Sequence, residues 1–298
     1  MADRPAHVDC AVTRVRPAER VEDRDRLAVE EPLEIRLVWR DGRHSRRDSI
    51  AVTMRTPGAD FELAIGFLYG EGIIRSRDDF VDVAYCVEDD GPQTFNIVTV
   101  TLSPETGFDL SRLSRHFYTT SSCGVCGKAT LEALDILGCD PLPDGAAVAA
   151  NTISGLPELL FTAQASFHRT GGLHAAGLFS LDGSLLCSRE DVGRHNALDK
   201  VIGERVMAGD EVMSRSIVML SGRASFELLQ KSLMARIPIV AAVGAPSSLA
   251  VDLARSFNIT LAGFVRPDGF NLYSGNERVL FGPSAALTGD AEDVVSTR

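Results

Sequence analysis

The sequence predicts two kinds of architecture in one chain: a small α+β domain over residues 29–118, then a layered α/β domain over residues 119–283. Three observations predict it. The first region alternates apolar and polar residues in short runs around a single helical segment. The second separates continuous apolar runs by helical patterns, as expected of strands covered on both faces. The chain of 298 residues is 45% hydrophobic, enough to build a core for one or two domains.

Taken in order, residues 1–28 are rich in Arg, Asp and Glu with little periodicity. They read as a loose arm with one short strand near Cys10-Ala11-Val12. Leu33-Glu34-Ile35-Arg36-Leu37-Val38-Trp39 alternates with period two, and Asp41-Gly42 then makes a hairpin turn. Ser49–Met54 is the return strand. A helix follows with Asp60 as its cap, carrying Phe61, Ala64, Ile65, Phe67 and Leu68. Val81–Tyr85 and Phe95–Val100 complete the first domain. In the second domain the strands are Leu178–Leu181, Ser216–Leu220, Ile237–Val243 and Ile259–Phe264. The helices are Gly193–Glu204, Ser225–Met234 and Ser248–Ser256. Residues 284–298 are small and polar, and read as a disordered tail.

Composition narrows the function. The net charge is −11 and the pI near 5.0, which argues against bulk binding of nucleic acid or anionic lipid. No run approaches the roughly 18 to 20 apolar residues of a membrane helix. The opening Met1-Ala2-Asp3-Arg4-Pro5 lacks the apolar stretch of a secretory signal. A cytoplasmic protein with no membrane partner is expected. Six cysteines in a chain this long do not make a disulfide framework.

Two of those cysteines stand apart. In Ser121-Ser122-Cys123-Gly124-Val125-Cys126-Gly127-Lys128 the pair precedes a lysine and a helix expected over Ala129–Leu137. Positive charge and a helix start both favour the reactive thiolate. The pattern leaves three chemistries open. Structural zinc needs about four ligands, and neither a second Cys-x-x-Cys nor His-x-x-x-His is present. Dithiol exchange fits if Phe117–Thr120 is the preceding strand. Sulfur carriage as a persulfide fits equally well on spacing. Cys10, Cys86, Cys139 and Cys187 sit singly beside apolar residues, as packing cysteines do.

A second polar concentration lies at Arg189-Glu190-Asp191-Val192-Gly193-Arg194-His195-Asn196-Ala197-Leu198-Asp199-Lys200, with eight polar side chains among twelve residues. It reads either as a solvated helix start or as a site where Asp191, Arg194, His195 and Lys200 converge on a polar ligand. Ser221-Gly222-Arg223, Gly244-Ala245-Pro246-Ser247 and Gly263–Gly269 each end a strand. Gly172 and His174 sit just before another. Helix starts and arginines in such loops suit phosphate groups. Walker spacing and Gly-x-Gly-x-x-Gly are absent, so the expectation is a phosphate-bearing small ligand rather than a standard nucleotide fold.

At these residues the chain resembles the FdhD/NarQ family, the formate dehydrogenase accessory sulfurtransferases. The resemblance runs from about residue 29 to Ser274 and rests on four segments: Met54–Gly58 with Gly66–Gly72; Ser121–Gly127; Thr170–Ala176; and Glu190–Lys200. Ser221-Gly222-Arg223 and Gly263–Arg266 extend it. Ala245-Pro246-Ser247-Ser248 departs from the family's Ala-Pro-Thr-Ser, but serine keeps the hydroxyl.

The resemblance implies that sulfur is taken from a cysteine desulfurase as a persulfide and passed to the Mo-bis-molybdopterin guanine dinucleotide cofactor, before that cofactor enters formate dehydrogenase. It places the persulfide on Cys123, with Cys126 beside it. The cofactor contacts fall on Phe264, Val265, Arg266, Pro267, Asp268 and Gly269. With the polar residues above, the expected cofactor-binding set adds Gly172, His174, Asp191, Arg194, His195, Lys200, Ser221 and Arg223. It further implies a cytidine-deaminase-like second domain and a homodimer. The zinc motifs of deaminases are missing, since His174 is followed by Ala175-Ala176 and the helix at Ser225 opens without cysteines; no bound metal is expected. Two other functions stay on the table: a cofactor-binding chaperone without sulfur chemistry, and a Cys-x-x-Cys dithiol oxidoreductase.

Overall fold

A computed structural model describes residues 4–86, 93–106, 139–209 and 212–282. Cys123, Cys126, the expected strand over 117–120, the expected helix Ala129–Leu137 and the 284–298 tail lie outside the described residues.

The chain opens with a correction. Residues expected to form a loose arm make a long hairpin, β1 (His7–Arg16) paired residue by residue with β2 (Glu19–Ala28). Most of its side chains are exposed, so no apolar alternation marks it in the sequence. Opposite charges face each other across the ribbon instead, as in Arg14–Asp23 at 2.6 Å and Arg26–Asp9 at 3.4 Å.

The first sheet has the order β4-β3-β6-β5. Its strands are β3 (Glu31–Asp41), β4 (His44–Arg55), β5 (Phe80–Tyr85) and β6 (Ile97–Leu102). The period-two pattern of β3 works as read: Leu33, Ile35, Leu37 and Trp39 are buried while Glu34 and Arg36 pair on the other face. Helix α1 (Asp60–Gly70) covers the buried face with Leu63, Ala64, Ile65 and Leu68. Asp60 is not its cap. It is the first helical residue, and its carboxylate accepts two bonds from the buried Arg55 guanidinium, at 3.0 and 2.8 Å, and one from Tyr85. Ala59 caps instead, in the left-handed region at φ 54°.

The second sheet has six strands in the order β13-β12-β11-β10-β8-β9. They are β8 (His174–Ser180), β9 (Leu185–Asp191), β10 (Ser216–Leu220), β11 (Ile239–Ala242), β12 (Thr260–Arg266) and β13 (Gly269–Ser274). The central three run parallel, and the outer neighbours pair antiparallel. Every residue of β10 and β11 is buried, which is why they read as unbroken apolar runs.

The pleat sends their side chains into two cores. Ile217, Met219, Ile239 and Ala241 pack under helix α2 (Ala150–Ala163). Val218, Leu220, Val240 and Ala242 join the larger core. That core is built with α4 (Arg194–Ala208), α5 (Phe226–Met234), α6 (Ser248–Ser256) and the whole first sheet. A single turn, α3 (Phe167–Thr170), follows α2. A short parallel pair, β7 (Val148–Ala149) with β14 (Val279–Leu280), closes one end. The two-faced α/β layering is therefore as expected, and the first sheet docks on it through α1 and α4.

Candidate functional site

The parallel strands β10, β11 and β12 end together, and their backbones stay bonded past the last strand residues. Gly244 N–H donates to Gly222 O at 2.8 Å, Phe264 N–H to Gly244 O at 3.1 Å, and Ala224 N–H to Ala245 O at 3.2 Å. Two glycines make this stacking possible. A β-carbon on Gly244 would lie 2.9 Å from Gly222 O, and one on Gly263 would lie 2.9 Å from the Pro246 ring. The result is a backbone shelf at the carboxyl ends of the strands, where open α/β sheets bind ligands.

Above the shelf, on the α2 side, lies a cavity of about 860 Å³. Gly172, His174, Ser221, Val265, Arg266 and Pro267 line it, and Leu160 and Phe161 of α2, with its C-cap Gln164, form the far wall. The Arg266 guanidinium is steadied by two carbonyls, Val243 O at 2.9 Å and Val265 O at 2.7 Å. Ser221 Oγ accepts from Ala175 N–H at 2.8 Å, which leaves its own O–H to donate. The cavity thus combines a cationic fork, a free hydroxyl donor, an imidazole and apolar walls, the mixture that orients a phosphate-bearing heterocycle.

The other expected residues divide. Asp191 is fully buried and saturated: Lys200 Nζ lies 2.7 Å away, and it accepts from Thr56 N at 3.1 Å, Gly193 N at 2.8 Å and Asn196 Nδ2 at 3.0 Å. Lys200 also donates to Thr56 O at 2.8 Å. This clamp ties the start of α4 to the first sheet. Asp191 and Lys200 do not converge on the large cavity, so the expectation of a four-residue polar site there is corrected. Their polarity marks a joint between α4 and the end of β4.

His195 Nε2 sits 3.2 Å from Ser225 Oγ and 3.8 Å from Glu227 Oε2, across the starts of α4 and α5. The His195 imidazole beside it holds the Glu227 carboxyl well below the usual carboxylate range. Arg194 stands beside His174, close enough to act on its charge. Arg223 is exposed on the loop between β10 and α5. Phe264 is exposed and strained at φ 53°. Asp268 and Gly269 turn past Pro267 into a neighbouring cavity of about 520 Å³ with Phe270 and Phe281.

Sequence reasoning missed the α2 wall and the anchors Thr56, Asn196 and Glu190. Glu190 accepts from Ser166 N at 2.9 Å and Phe167 N at 2.7 Å and so seats α3 at the cavity mouth. The signal for α2 was hidden by Gly155 and Pro157 inside it.

Cys123 and Cys126 lie outside the described residues, but the chain that flanks them can be placed. Thr106 Oγ1 bonds Asp79 O at 3.1 Å. Cys139 Sγ touches Met234 Sδ at 3.4 Å, and Leu142 N–H donates to Phe257 O at 3.0 Å. Met234 and Phe257 end α5 and α6, just before β11 and β12 begin. The C-terminal flank therefore lies at the amino ends of the parallel strands. The cavity lies at their carboxyl ends, the length of a seven-residue strand away, roughly 20 Å.

Comparison with known proteins accounts for this arrangement. The sequence model of the FdhD/NarQ family matches residues 28–280. The chain is 48% identical over 271 residues to the sulfur carrier protein FdhD of Mycolicibacterium paratuberculosis, covering 90% of this chain and 97% of the relative. It is 50% identical over 259 residues to that of Mycobacterium tuberculosis, covering 85% and 91%. A crystal structure assigned as a formate dehydrogenase accessory protein from Desulfotalea psychrophila superposes with a TM-score of 0.71 at 25% identity, covering 93% of this chain and all of the other. The chain therefore belongs to the FdhD/NarQ family.

Proposed function

We propose that this protein is a sulfur carrier serving formate dehydrogenase, and that it delivers the sulfur to Mo-bis-molybdopterin guanine dinucleotide held at the carboxyl-end cavity. The family membership carries the first part: relatives matched over nearly their whole length are named sulfur carriers. The chemistry of the cavity supports the second. The donor set fits a guanine dinucleotide diphosphate as substrate: Arg266 for phosphate oxygens, the Ser221 hydroxyl as donor, and the apolar α2 wall for a ring. When bound, that substrate supplies the metal centre that accepts the sulfur.

The loading step needs no outside oxidant or reductant. The Cys123 thiolate attacks the terminal sulfur of a cysteine desulfurase persulfide. A new S–S bond forms at Cys123, the donor's S–S bond breaks, and the donor leaves as thiolate. Cys126 stands ready to share or resolve the persulfide. The same reading takes the protein as a homodimer acting in the cytoplasm. Among the described residues no helix is long and apolar enough to cross a membrane.

The deciding experiment measures formate dehydrogenase activation by wild type and by Cys123→Ala/Cys126→Ala, alongside intact mass after incubation with desulfurase and cysteine. Wild type should gain one sulfur atom and activate, and the double variant should do neither. Full activation by the double variant would leave a cofactor chaperone without sulfur chemistry. Turnover of a generic disulfide by wild type, without a persulfide, would make it a dithiol oxidoreductase.

A further inference from the structure

The His174 ring lines the large cavity and has no hydrogen-bond partner among the described residues. It opens β8 opposite Asp191 of β9, and a β-carbon on Gly222 would lie 3.3 Å from its Nδ1. The glycine leaves the imidazole half-buried in the cavity wall but still reachable. Its surroundings disfavour charge. Burial holds it below its ordinary value of 6.5, Arg194 and His195 of α4 add to the effect, and Asp191 opposes it. That opposition is weak, because the Asp191 carboxylate already neutralises Lys200 at 2.7 Å. Across the cavity stand Arg266 of β12 and Glu158 of α2. The cavity therefore pairs a fixed cation, Arg266, with an imidazole whose charged form is disfavoured first by burial and then by Arg194 and His195.

An anionic ligand reverses this balance. A diphosphate brought to Arg266 and Ser221 places negative charge in the same cavity, and a positive imidazole then becomes the better partner. Resting on the phosphate reading of the cavity given above, we infer that His174 takes up a proton as a diphosphate ligand binds, so that loading and release of the nucleotide are coupled to pH. The proton comes from solvent, and no bond in the ligand breaks. The filled cavity holds an imidazolium and the emptied one a neutral ring. Acidic conditions then favour loading, and alkaline conditions favour hand-over.

The test titrates the full chain with guanosine diphosphate by calorimetry at pH 7.5, in two buffers of different ionisation enthalpy, which counts protons bound per ligand. Wild type should take up more protons than His174→Gln, by up to one. Its affinity should also fall more steeply with pH than that of the variant, by up to about tenfold per unit. Equal uptake and equal slopes in the two proteins overturn the inference while leaving the phosphate site intact. No binding of guanosine diphosphate by wild type at millimolar concentration overturns the cavity reading as well. If His174→Gln loses binding altogether, the ring nitrogens of ¹⁵N-histidine in wild type decide. A shift of His174 to the imidazolium pattern on adding ligand supports the inference, and an unchanged neutral pattern refutes it.

Discussion

Gly66 of α1 rests against the backbone of Asp199 on α4 so closely that a β-carbon on Gly66 would fall 1.8 Å from the Asp199 carbonyl oxygen. Gly203 makes the reciprocal approach, 1.8 Å from Glu62 O. Two helices far apart in the sequence thus meet backbone to backbone, and the first sheet docks on the second through that contact. Because the obstacle is main chain, no rotamer change relieves a larger residue. Gly66→Ala and Gly203→Ala should each cost about 3 kcal/mol or more in urea unfolding. Gly155, inside α2 with open space around it, is the control. There alanine should be neutral or stabilise by about 0.5 to 1 kcal/mol.

The Asp191–Lys200 pair should behave as a buried joint. Asp191→Asn or Lys200→Met leaves one buried partner uncompensated and should cost about 3 to 5 kcal/mol in denaturant unfolding. The double variant Asp191→Asn/Lys200→Met should lose less than the two single losses added together. Additive losses would mean the two side chains act separately.

Asp199 gives a pH prediction. Burial raises its carboxyl to about 6 from 3.8, against the opposing pull of Lys231 at 2.8 Å. Between about pH 4 and 6 the native state therefore holds a proton that the unfolded chain has lost. The stability contributed by this group is present at low pH and is lost as pH rises through 6. Measured from pH 4 to 6, the stability of wild type relative to Asp199→Asn should fall as pH rises. A difference that is flat or rises with pH would contradict the assignment.

Cys187 should be chemically silent. Burial, reinforced by Glu204, pushes its thiol up to about 12, and the side chain is 8% exposed. Peptide mapping after iodoacetamide treatment at pH 8 should find Cys187 unmodified in the native protein and modified after unfolding. Labelling of native Cys187 at the rate of an exposed cysteine would refute this. The result bears on function, since an inert Cys187 cannot substitute as a sulfur acceptor.

Much of this architecture was legible from the chain. Leu33, Ile35, Leu37 and Trp39 announce a half-buried strand by period two, and β10 spans the very residues, Ser216–Leu220, that read as a continuous apolar run. Other elements left no such trace. The hairpin His7–Ala28 is held by cross-strand charge pairs with little burial. Helix α2 carries Gly155 and Pro157, so its buried stripe of Ile153, Leu156 and Leu160 hides behind poor helix formers. Asp60 looked like a cap because its type and position fit one, and only Arg55 and Tyr85, brought in by the sheet, show its real partners.

The same division holds for the site. The local pattern by itself determined that the motifs resemble one family, and the match over residues 28–280 bears that out; it also raised the expectation of a reactive cysteine pair and of strand-ending glycine loops suited to phosphate. Those are properties of neighbours along the chain. Which polar residues face the cavity was decided by tertiary structure, because it depends on what else competes for each side chain. Asp191 and Lys200 neighbour the cavity in sequence but satisfy each other and Thr56 in the joint. The His174 ring, with no hydrogen-bond partner among the described residues, is left facing the cavity.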